Sequence, residues 1–499
     1  MRRDVRITDV DDTAPPLVAV HRRPEGSVRG TLSGVPGADE GYDVIVVGAG
    51  TAGCVVAERL SRRPSARVLL VDAGPDGTTS PDLFTALATP GRVWPNLTAQ
   101  RTPAGIRRAY PRGRGIGGSG AVNGLIALEP PATDIDRWRA TGLNLGPSGY
   151  RAVMRTTIQP NLWGPADRLL ALTARAHGLP LLRRAAVETP GVGPAPLHLD
   201  ADANRASTDQ THLGPARTRP NLTVLADSLV KSLLIGTDGR CGGIVTADRA
   251  IEAPLTVICA GALHSPALLL RSGLTRPGIG SNLADHAAIG ATLHLRHPAD
   301  PSTPATCAVA HTDNKLQILP LNRLGTTPEL RGLGALLVGV LASNGRGRVV
   351  LGDGPEPIVT FNLLGRAEDR RAIVRATRLL VELCTRPEVR AETHFISSDD
   401  RGTPIDALAG ATTSRLLGWA EANLADYVHA TGTCAYGRPD DPLAVVGPGG
   451  LVHGTPGLAV IDASVFPHPP QVNPWLATVG LATTLSEQLA EQLAADATP

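Results

Sequence analysis

The chain is 499 residues long, which exceeds one ordinary hydrophobic core and predicts about two or three structural units. Its formal net charge is only +2 and charged residues make up 19% of it, so neither a basic nucleic-acid surface nor an acidic tail is expected. A small-molecule partner is therefore favoured over a nucleic acid.

The cysteines and the apolar runs bear on compartment. Six cysteines are scattered without a Cys-x-x-Cys pair, so reduced, buried thiols are predicted, and no metal site. The N-terminal segment lacks the apolar stretch of a secretory signal, which predicts a cytoplasmic location. The apolar run from Leu255 to Leu270 is interrupted by His264, Ser265 and Pro266, and predicts a buried strand followed by a helix rather than a membrane span.

The first strongly patterned region follows residue 42. Residues 43–47 are an apolar run typical of a buried strand, residues 48–53 form a glycine-rich turn, and residues 55–60 begin a helix. A second apolar run, residues 67–71, ends at Asp72. This order predicts a βαβ unit that binds a dinucleotide, although a purely structural glycine turn is the alternative.

Each glycine of this turn has an expected role. Gly48 permits a sharp turn, Gly50 lets the backbone approach a pyrophosphate, and Gly53 lets the helix pack closely on the strand. Asp72 is expected to accept a hydrogen bond from a ribose hydroxyl. The turn alone does not choose between FAD and NAD. The predicted pyrophosphate donors are the backbone groups around Gly50, Thr51 and Ala52.

Four motifs further along the chain carry a family resemblance. They are residues 110–124, which include Gly117-Gly118-Ser119-Gly120-Ala121-Val122-Asn123; residues 261–273 with 280–286; residues 429–434; and residues 462–467 followed by Asn473-Pro474. In this order and spacing they resemble the signatures of the glucose-methanol-choline (GMC) oxidoreductases. The resemblance runs from about Tyr42 to the C-terminus and implies FAD as the cofactor.

The resemblance also implies a fold. The expected class is α/β, α+β overall, with a Rossmann-like FAD-binding domain and a discontinuous, sheet-based substrate-binding domain. The FAD-binding domain is expected to comprise residues 41–130, 205–290 and 425–499. The substrate-binding domain is expected to comprise residues 131–204 and 291–424, with a strand pair at 343–351 and 357–362. Residues 1–40, rich in Pro, Gly, Asp and Thr, are predicted to form an N-terminal arm.

His429 and Asn473 are the expected catalytic pair. An imidazole can accept a hydroxyl proton near neutral pH, whereas an amide can only hold an oxygen in place. By resemblance, His429 is the base that accepts the hydroxyl proton of an alcohol. The carbinol carbon passes hydride to flavin N5, and the alcohol becomes an aldehyde or ketone. Asn473 would donate to the developing alkoxide. Oxygen or another electron acceptor would then reoxidise the flavin, and Tyr427 could restrict oxygen, which favours a dehydrogenase.

Further residues are expected at the cofactor. The resemblance places Gly118 and Asn123 near the isoalloxazine and Val230 at the adenine. Val122 stands where covalently flavinylated members carry His, so noncovalent FAD is expected. Gly120 replaces a second serine, which removes a hydroxyl and is expected to loosen the turn. The remaining expected cofactor residues are Asp462, Ala463, Asn473 and Pro474.

Several alternatives stay open. A hydroxynitrile-lyase-like enzyme would use His429 without redox chemistry, and a degenerate member would bind FAD structurally. Residues 117–124 resemble those of the mycofactocin-associated dehydrogenases. Aromatic residues are only 3% of the chain, which favours a nonaromatic alcohol. Structural roles are predicted for the other motif histidines, His264, His453 and His468, and for His286 as a hinge hydrogen-bonder rather than a base.

Overall fold

The computed structural model describes residues 41–146, 148–151 and 153–495. The predicted N-terminal arm, residues 1–40, lies outside the described residues. Within the described part of the chain, helices are combined with strands in four sheets, so the predicted mixed α/β class is confirmed. The residue ranges assigned to the two domains stay a prediction.

The dinucleotide turn lies on a parallel sheet of five strands. The central strand, Val44–Val47, pairs on both sides with strands of the same direction, and all four of its residues are buried. Runs of Val, Ile and Leu without polar alternation are typical of strands covered on both faces. In spatial order the strands are Leu458–Val460, Leu255–Ile258, Val44–Val47, Val68–Val71 and Leu222–Leu225.

The predicted βαβ unit is present. The helix Thr51–Leu60 connects Val44–Val47 to the parallel strand Val68–Val71. It begins inside the glycine-rich turn, earlier than the predicted 55–60, because the turn residues after Gly50 already have helical geometry. This helix packs against the C-terminal helix Pro474–Ala495, whose N-terminal end follows Asn473.

An antiparallel sheet of six strands lies over the candidate site. One face, which carries Ile289, Ile318 and Leu336, packs into a hydrophobic core with the helix Ala367–Cys384. Because side chains alternate along a strand, the opposite face presents every second residue to the cavity described below. In spatial order the strands are Thr393–Ser397, Ala287–Leu295, Leu333–Val340, Leu316–Leu321, Ala308–His311 and Gly191–Pro194.

Two smaller sheets complete the described strands. The strand pair predicted at 343–351 and 357–362 is present as Arg348–Val350 and Ile358–Thr360, which run antiparallel. These strands join a four-stranded sheet and not the six-stranded one, since Ile358–Thr360 also pairs with a strand near residue 100. The other strands of the small sheets are Thr98–Gln100, Arg107–Ala109, Ser232–Ile235, Cys241–Val245 and Ala250–Glu252.

The remaining helices surround these sheets. The strand Leu255–Ile258 is followed by the helix Gly261–Arg271, as predicted. The other α-helices are Leu83–Ala88, Gly118–Val122, Ala132–Arg139, Ser148–Arg151, Pro165–Ala176, Gly214–Ala216, Pro328–Arg331, Pro387–Glu392 and Thr413–Ala422. Short 3₁₀ segments occur at Pro160–Leu162, Ile405–Leu408, Pro448–Gly450 and Ala463–Val465, and a π-helical segment at Asp209–Leu213.

Two expectations from composition concern the whole chain. All six cysteines are buried and none is in a disulfide, as predicted. None of the helices in the described ranges combines the length and the apolar character that crossing a membrane requires. The cytoplasmic location stays a prediction.

Candidate active site

A long cavity connects the glycine-rich turn to the C-terminal motifs. Gly48, Asp72 and Val230 line one part of it, and His429 and Asn473 line another. Every site residue expected from the sequence borders this cavity except Gly53. The expected residues that line it are Gly48, Gly50, Thr51, Ala52, Asp72, Gly118, Asn123, Val230, His429, Asp462, Ala463, Asn473 and Pro474.

Close backbone contacts require glycine at Gly48 and Gly53 of the turn. Gly48 has φ +98°, and a Cβ on Gly53 would lie 1.8 Å from the Gly48 carbonyl oxygen. A Cβ on Gly118 would lie 2.7 Å from Gly50 Cα, so the second glycine motif rests directly on the first. Gly53 therefore lets the helix approach the turn at Gly48, whereas its packing on the strand stays a prediction.

The start of the helix Thr51–Leu60 can accept an anion. Gly50 caps it without a side-chain hydrogen bond, and no acidic residue lies in its first turn. The first N–H groups of a helix have no partner within the helix, and the helix dipole places positive charge there. These N–H groups can donate to a pyrophosphate at this end of the cavity, and FAD contains a pyrophosphate.

Asp72 is held by the backbone around the cavity. Its Oδ2 accepts from the Ala49 N–H at 2.7 Å, and its Oδ1 accepts from the Gly74 and Gly115 N–H groups at 2.9 Å each. Burial raises the pKa of this carboxyl, and the three hydrogen bonds oppose the rise. A carboxylate has about four acceptor positions, so one remains for a ligand hydroxyl. Its contact to a ribose stays a prediction.

Asn123 is oriented by three donors. Its Oδ1 accepts from the Leu125 N–H at 3.0 Å and from Arg205 and His198 Nε2 at 2.9 Å each. With the carbonyl oxygen occupied, the Nδ2 amide is the group left for the cavity. Burial lowers the pKa of Arg205 to about 10, so its guanidinium keeps its charge at neutral pH. Neither His198 nor Arg205 lies in a motif, so the motifs did not indicate them.

Asp462 joins two elements at the cavity. Its Oδ2 accepts from the Gly261 N–H at 2.8 Å and from the Ser265 hydroxyl at 2.5 Å. Its Oδ1 accepts from the Ser464 N–H at 2.7 Å and caps a short helix. The carboxylate therefore holds the segment of Ala463 against the start of the helix Gly261–Arg271, while any contact to a flavin stays a prediction.

Gly120 has a packing reason that the sequence did not reveal. A Cβ at this position would lie 2.7 Å from Thr51 Oγ1 and 2.8 Å from Trp475 Nε1. The space of a serine side chain is filled here by the first turns of two helices, while the expected loosening of the turn stays a prediction. The indole of Trp475 stacks on His198 at 4.0 Å between ring centroids.

His429 contacts a second histidine and an amide. Its Nδ1 lies 2.9 Å from His286 Nδ1, and its Nε2 lies 3.4 Å from Asn473 Nδ2. The other nitrogen of His286, Nε2, lies 2.9 Å from the Pro470 carbonyl oxygen. The hydrogen-bonding role predicted for His286 is present, and one of its bonds is to His429 itself.

These contacts define the tautomer of His429. A carbonyl oxygen can only accept, so His286 Nε2 carries the proton and His286 Nδ1 is bare. His429 Nδ1 must therefore donate to it. In a neutral ring this leaves His429 Nε2 without a proton, beside Asn473 and open to the cavity.

Burial keeps both rings neutral. It lowers the pKa of His286 to about 4. It also lowers the pKa of His429 well below 6.5, with smaller contributions from the charges of His286 and Arg112. A bare, neutral imidazole nitrogen can accept a proton at neutral pH.

A hydrogen-bonded chain extends beyond Asn473. Its Oδ1 accepts from Gln317 Nε2 at 3.0 Å, and Gln317 Oε1 accepts from the Tyr427 hydroxyl at 2.8 Å. Gln317 Nε2 also donates to His311 Nε2 at 2.9 Å. The Asn473 amide group is thereby turned toward His429. Gln317 and His311 lie in strands without a motif, so the sequence did not indicate them.

The backbone that carries His429 is restrained. Val428 has φ +55°, a left-handed conformation that is costly for a β-branched residue. The His429 N–H donates to Asp285 Oδ1 at 2.9 Å, and the Tyr110 hydroxyl donates to Asp285 Oδ2 at 2.6 Å. Arg112 donates to the Val428 carbonyl oxygen. These contacts hold a conformation that the chain would not adopt alone.

A match to models of one protein family shows which family the chain belongs to. Models described as GMC oxidoreductase match residues 42–288 and 343–482, which is more than half of the chain. The chain belongs to the GMC oxidoreductase family. The predicted family, enzyme class and FAD cofactor are thereby confirmed for this GMC oxidoreductase. The mycofactocin-associated subgroup stays a prediction.

Relatives of this GMC oxidoreductase align over nearly its whole length. It is 28% identical to 5-(hydroxymethyl)furfural oxidase of Methylovorus sp. (strain MP688), over 90% of this chain and 99% of the relative. It is 28% identical to oxygen-dependent choline dehydrogenase of Burkholderia multivorans, over 85% and 89% of the two chains. The lyase alternative finds no support in these names.

A solved structure shares the fold. The crystal structure of pyridoxine 4-oxidase from Mesorbium loti superposes with a TM-score of 0.78 at 24% identity, over 90% of this chain and 99% of that chain. At this identity the likeness establishes the architecture of the GMC oxidoreductase and not its substrate.

Proposed function

We propose that this GMC oxidoreductase oxidises an alcohol to an aldehyde or ketone, with His429 as the base and Asn473 as the group that holds the oxygen. Bound FAD supplies the hydride acceptor for the carbinol carbon. The observation that carries the proposal is the His429–His286 contact of 2.9 Å, which leaves His429 Nε2 bare in the cavity.

The base is His429 Nε2. It accepts the hydroxyl proton of the alcohol as the carbinol C–H bond breaks, which leaves a carbonyl group. The imidazolium that forms is stabilised at Nδ1, because its Nδ1–H group donates a hydrogen bond of 2.9 Å to His286 Nδ1. His286 thus positions the base without touching the substrate.

Asn473 orients the oxygen. Its Nδ2 group lies 3.4 Å from His429 Nε2, a long contact that the alcohol hydroxyl would replace when it donates to Nε2. The N–H bonds of Nδ2 would then be available to the substrate oxygen. Because Gln317 occupies Oδ1, the amide cannot turn its acceptor oxygen toward the alkoxide without losing that bond. The developing negative charge therefore meets a donor.

The residues around the cavity are suited to hold FAD without a covalent bond. The uncapped start of the helix Thr51–Leu60 would bind the pyrophosphate, Asp72 a ribose hydroxyl and Val230 the adenine. Asn123 would offer its Nδ2 group to the isoalloxazine. Val122 has no nucleophilic atom, so it cannot form a flavin linkage.

The names of the relatives support an alcohol substrate. Hydroxymethylfurfural, choline and pyridoxine, which those names contain, are all small alcohols. The names also include oxidases and an oxygen-dependent dehydrogenase, so oxygen or another electron acceptor would reoxidise the flavin of this enzyme.

Rapid mixing of the FAD-bound enzyme with alcohols in the absence of oxygen tests the proposal. Bleaching of the oxidised flavin is expected with wild type. The His429→Ala variant should bleach roughly 10²- to 10⁴-fold more slowly, since this is the usual contribution of a positioned base.

An exposed histidine gives a matched control. His297 lies on the surface, away from the cavity lining, so His297→Ala should reduce its flavin at the wild-type rate. Equal rates for wild type and His429→Ala would show that His429 is not the base.

A further inference from the structure

Along the strands of the sheet above the catalytic pair, the side chains that face the cavity change from polar to apolar. Residues that pair directly across antiparallel strands share a face, so the register defines rows of side chains. The row that includes Gln317 also contains His311, Gly339 and Ala288. Gln317 donates to Asn473, so this row lies at the reacting end of the cavity.

The next two rows present leucines to the cavity. Leu319 pairs with Leu337, which pairs with Gly290. The following row consists of Leu321, Ala335, Thr292 and Ser397, and neither of its two hydroxyl residues belongs to the cavity lining. Leu319, Leu321 and Leu337 line the cavity. Two residues along a strand span roughly 7 Å, so the apolar surface begins about that far from Gln317 and continues for a similar distance.

Most other side chains at this end of the cavity are apolar or already hydrogen-bonded. Ile126 lines it and is buried with Leu319 and Tyr427 in one cluster. The Thr306 hydroxyl donates to the Pro320 carbonyl oxygen at 2.6 Å, and the Tyr427 hydroxyl donates to Gln317. Arg112 also lines the cavity, and its positive charge disfavours a cation there. The uncharged polar groups for a substrate are thus concentrated at His429 Nε2 and at the amides of Asn473 and Asn123.

The acidic residues of the cavity lining lie outside the apolar rows and have partners of their own. Asp426 pairs with Arg101, Asp462 accepts from Gly261 and Ser265, and Asp72 accepts from three backbone amides. None of them lies in the three rows of the sheet. A cationic substrate would have no carboxylate opposite its charge on this surface.

The aromatic rings of the lining are already in contact with other side chains. The Tyr427 ring meets His429 edge-on at 4.9 Å between centroids and His286 at 6.0 Å. Trp94 stacks on His264 at 4.2 Å, and the Arg114 guanidinium lies 5.6 Å from its centroid. The Trp475 ring stacks on His198. An ammonium group binds best to an open aromatic face, and the positive charge of Arg114 would repel it at Trp94.

We infer that the substrate is an uncharged alcohol with one polar end and an aliphatic body, which lies along Leu319, Leu337 and Leu321. This inference rests on the proposed function for its reacting end. The body is recognised by burial of apolar surface, while a quaternary ammonium alcohol such as choline is disfavoured because its charge would lose water without gaining a partner.

Choline and its uncharged isostere 3,3-dimethylbutan-1-ol separate shape from charge. The FAD-bound wild-type enzyme is mixed anaerobically with each alcohol, and the dissociation constant is read from perturbation or bleaching of the flavin absorbance. The uncharged alcohol is expected to bind roughly 10- to 100-fold more tightly. Equal or tighter binding of choline would overturn the inference.

The binding readout distinguishes this inference from the proposed function. If the uncharged alcohol perturbs the flavin spectrum but no alcohol bleaches it, oxidation fails and the specificity stands. If alcohols bleach the flavin without preference for the uncharged isostere, the proposed oxidation stands and the specificity fails. A series of alkan-1-ols should gain roughly fourfold in affinity per methylene along the apolar rows.

A matched pair of variants tests the position of the body. Leu337→Asp places a carboxylate in the apolar row, and Leu337→Asn removes the same apolar surface without a charge. Both should weaken binding of 3,3-dimethylbutan-1-ol, but only Leu337→Asp should shift the preference toward choline, by at least about 10-fold. An unchanged preference in a Leu337→Asp enzyme that retains FAD would contradict the assigned position.

Discussion

At the scale of single residues, each proton around His429 is placed by a neighbouring acceptor. The Pro470 carbonyl fixes the proton of His286, and His286 in turn fixes the proton of His429. On the other side, Gln317 fixes the orientation of Asn473. The sequence motifs indicated His429 and Asn473 as a pair and His286 as a hydrogen-bonding residue, but Gln317, which orients Asn473, lies in a strand without a motif.

The contribution of His286 can be measured with two variants. His286→Leu removes the acceptor for His429 Nδ1–H and should slow flavin reduction roughly 10-fold or more, because the bare Nε2 is no longer favoured over the other tautomer. His286→Gln retains an acceptor oxygen and should recover a large part of the rate. Anaerobic flavin reduction measures both. Equal losses of flavin-reduction rate in His286→Leu and His286→Gln would indicate that His286 has a packing role only.

The pH dependence of flavin reduction follows from the lowered pKa of His429. Burial places this pKa well below 6.5, and the base is active in its neutral form above its pKa. The rate should therefore stay level from neutral pH through 6.5 and fall only in more acidic solution. Rapid mixing across this pH range is the measurement. A half-maximal rate near pH 6.5 would show that the ring titrates as if exposed.

At the scale of elements, two helix N-termini and a glycine segment meet at Gly120. The βαβ unit and the strand before Gly261 were predictable, because runs of Val, Ile and Leu and the glycine spacing have strong local signals. The absence of space at Gly120 was not, since Thr51 and Trp475 are distant in sequence and meet it only in the fold. Local patterns do not report such contacts.

A serine at position 120 should lower the stability of the protein and its retention of FAD. The new Cβ would lie 2.7 Å from Thr51 Oγ1 and 2.8 Å from Trp475 Nε1, so Gly120→Ser should reduce stability by about 1–3 kcal/mol and weaken FAD retention. Thermal unfolding and flavin release measure these losses. Gly354→Ala is the control, because no atom lies within 4 Å of its added Cβ and Gly354 is exposed and not part of the cavity lining.

The same contact predicts coupling between two positions. Trp475→Leu provides space next to Gly120, so the combination of Gly120→Ser with Trp475→Leu should be less unstable than the sum of the single changes. Strict additivity would mean that Trp475 is not what excludes a side chain at Gly120.

At the scale of the whole molecule, the site lies where the dinucleotide turn of a parallel sheet meets one face of an antiparallel sheet. The class of fold and the cofactor were predictable from the motifs. The substrate-facing rows were not, because Leu319 and Leu337 belong to ordinary apolar strands, and only their register shows which of their residues face the cavity. Buried polar groups in these strands, such as His311, also affect the stability of the protein.

His311 should make the fold sensitive to acid. Burial lowers its pKa to about 4, below the value near 6.5 of an unfolded chain, so the unfolded state binds more protons between these values. Its contribution therefore destabilises the fold as pH falls from 6.5 to 4, by about 3 kcal/mol at the lower end. His311→Gln can keep the bond to Gln317 without titrating.

Comparison of unfolding temperatures for wild type and His311→Gln at several pH values isolates this effect. The unfolding temperature of the variant should rise relative to that of wild type as pH falls from 6.5 toward 4. A constant difference across that range would mean that His311 does not titrate differently in the folded and unfolded states.

The most direct test of alcohol oxidation is the rate of anaerobic flavin bleaching by an alcohol carrying hydrogen or deuterium at the carbinol carbon. With 3,3-dimethylbutan-1-ol, we expect deuterium to slow bleaching in the wild-type enzyme, because the C–H bond breaks as His429 accepts the hydroxyl proton. Absence of bleaching with both this alcohol and a panel of other alcohols, in an enzyme that retains FAD, would contradict it.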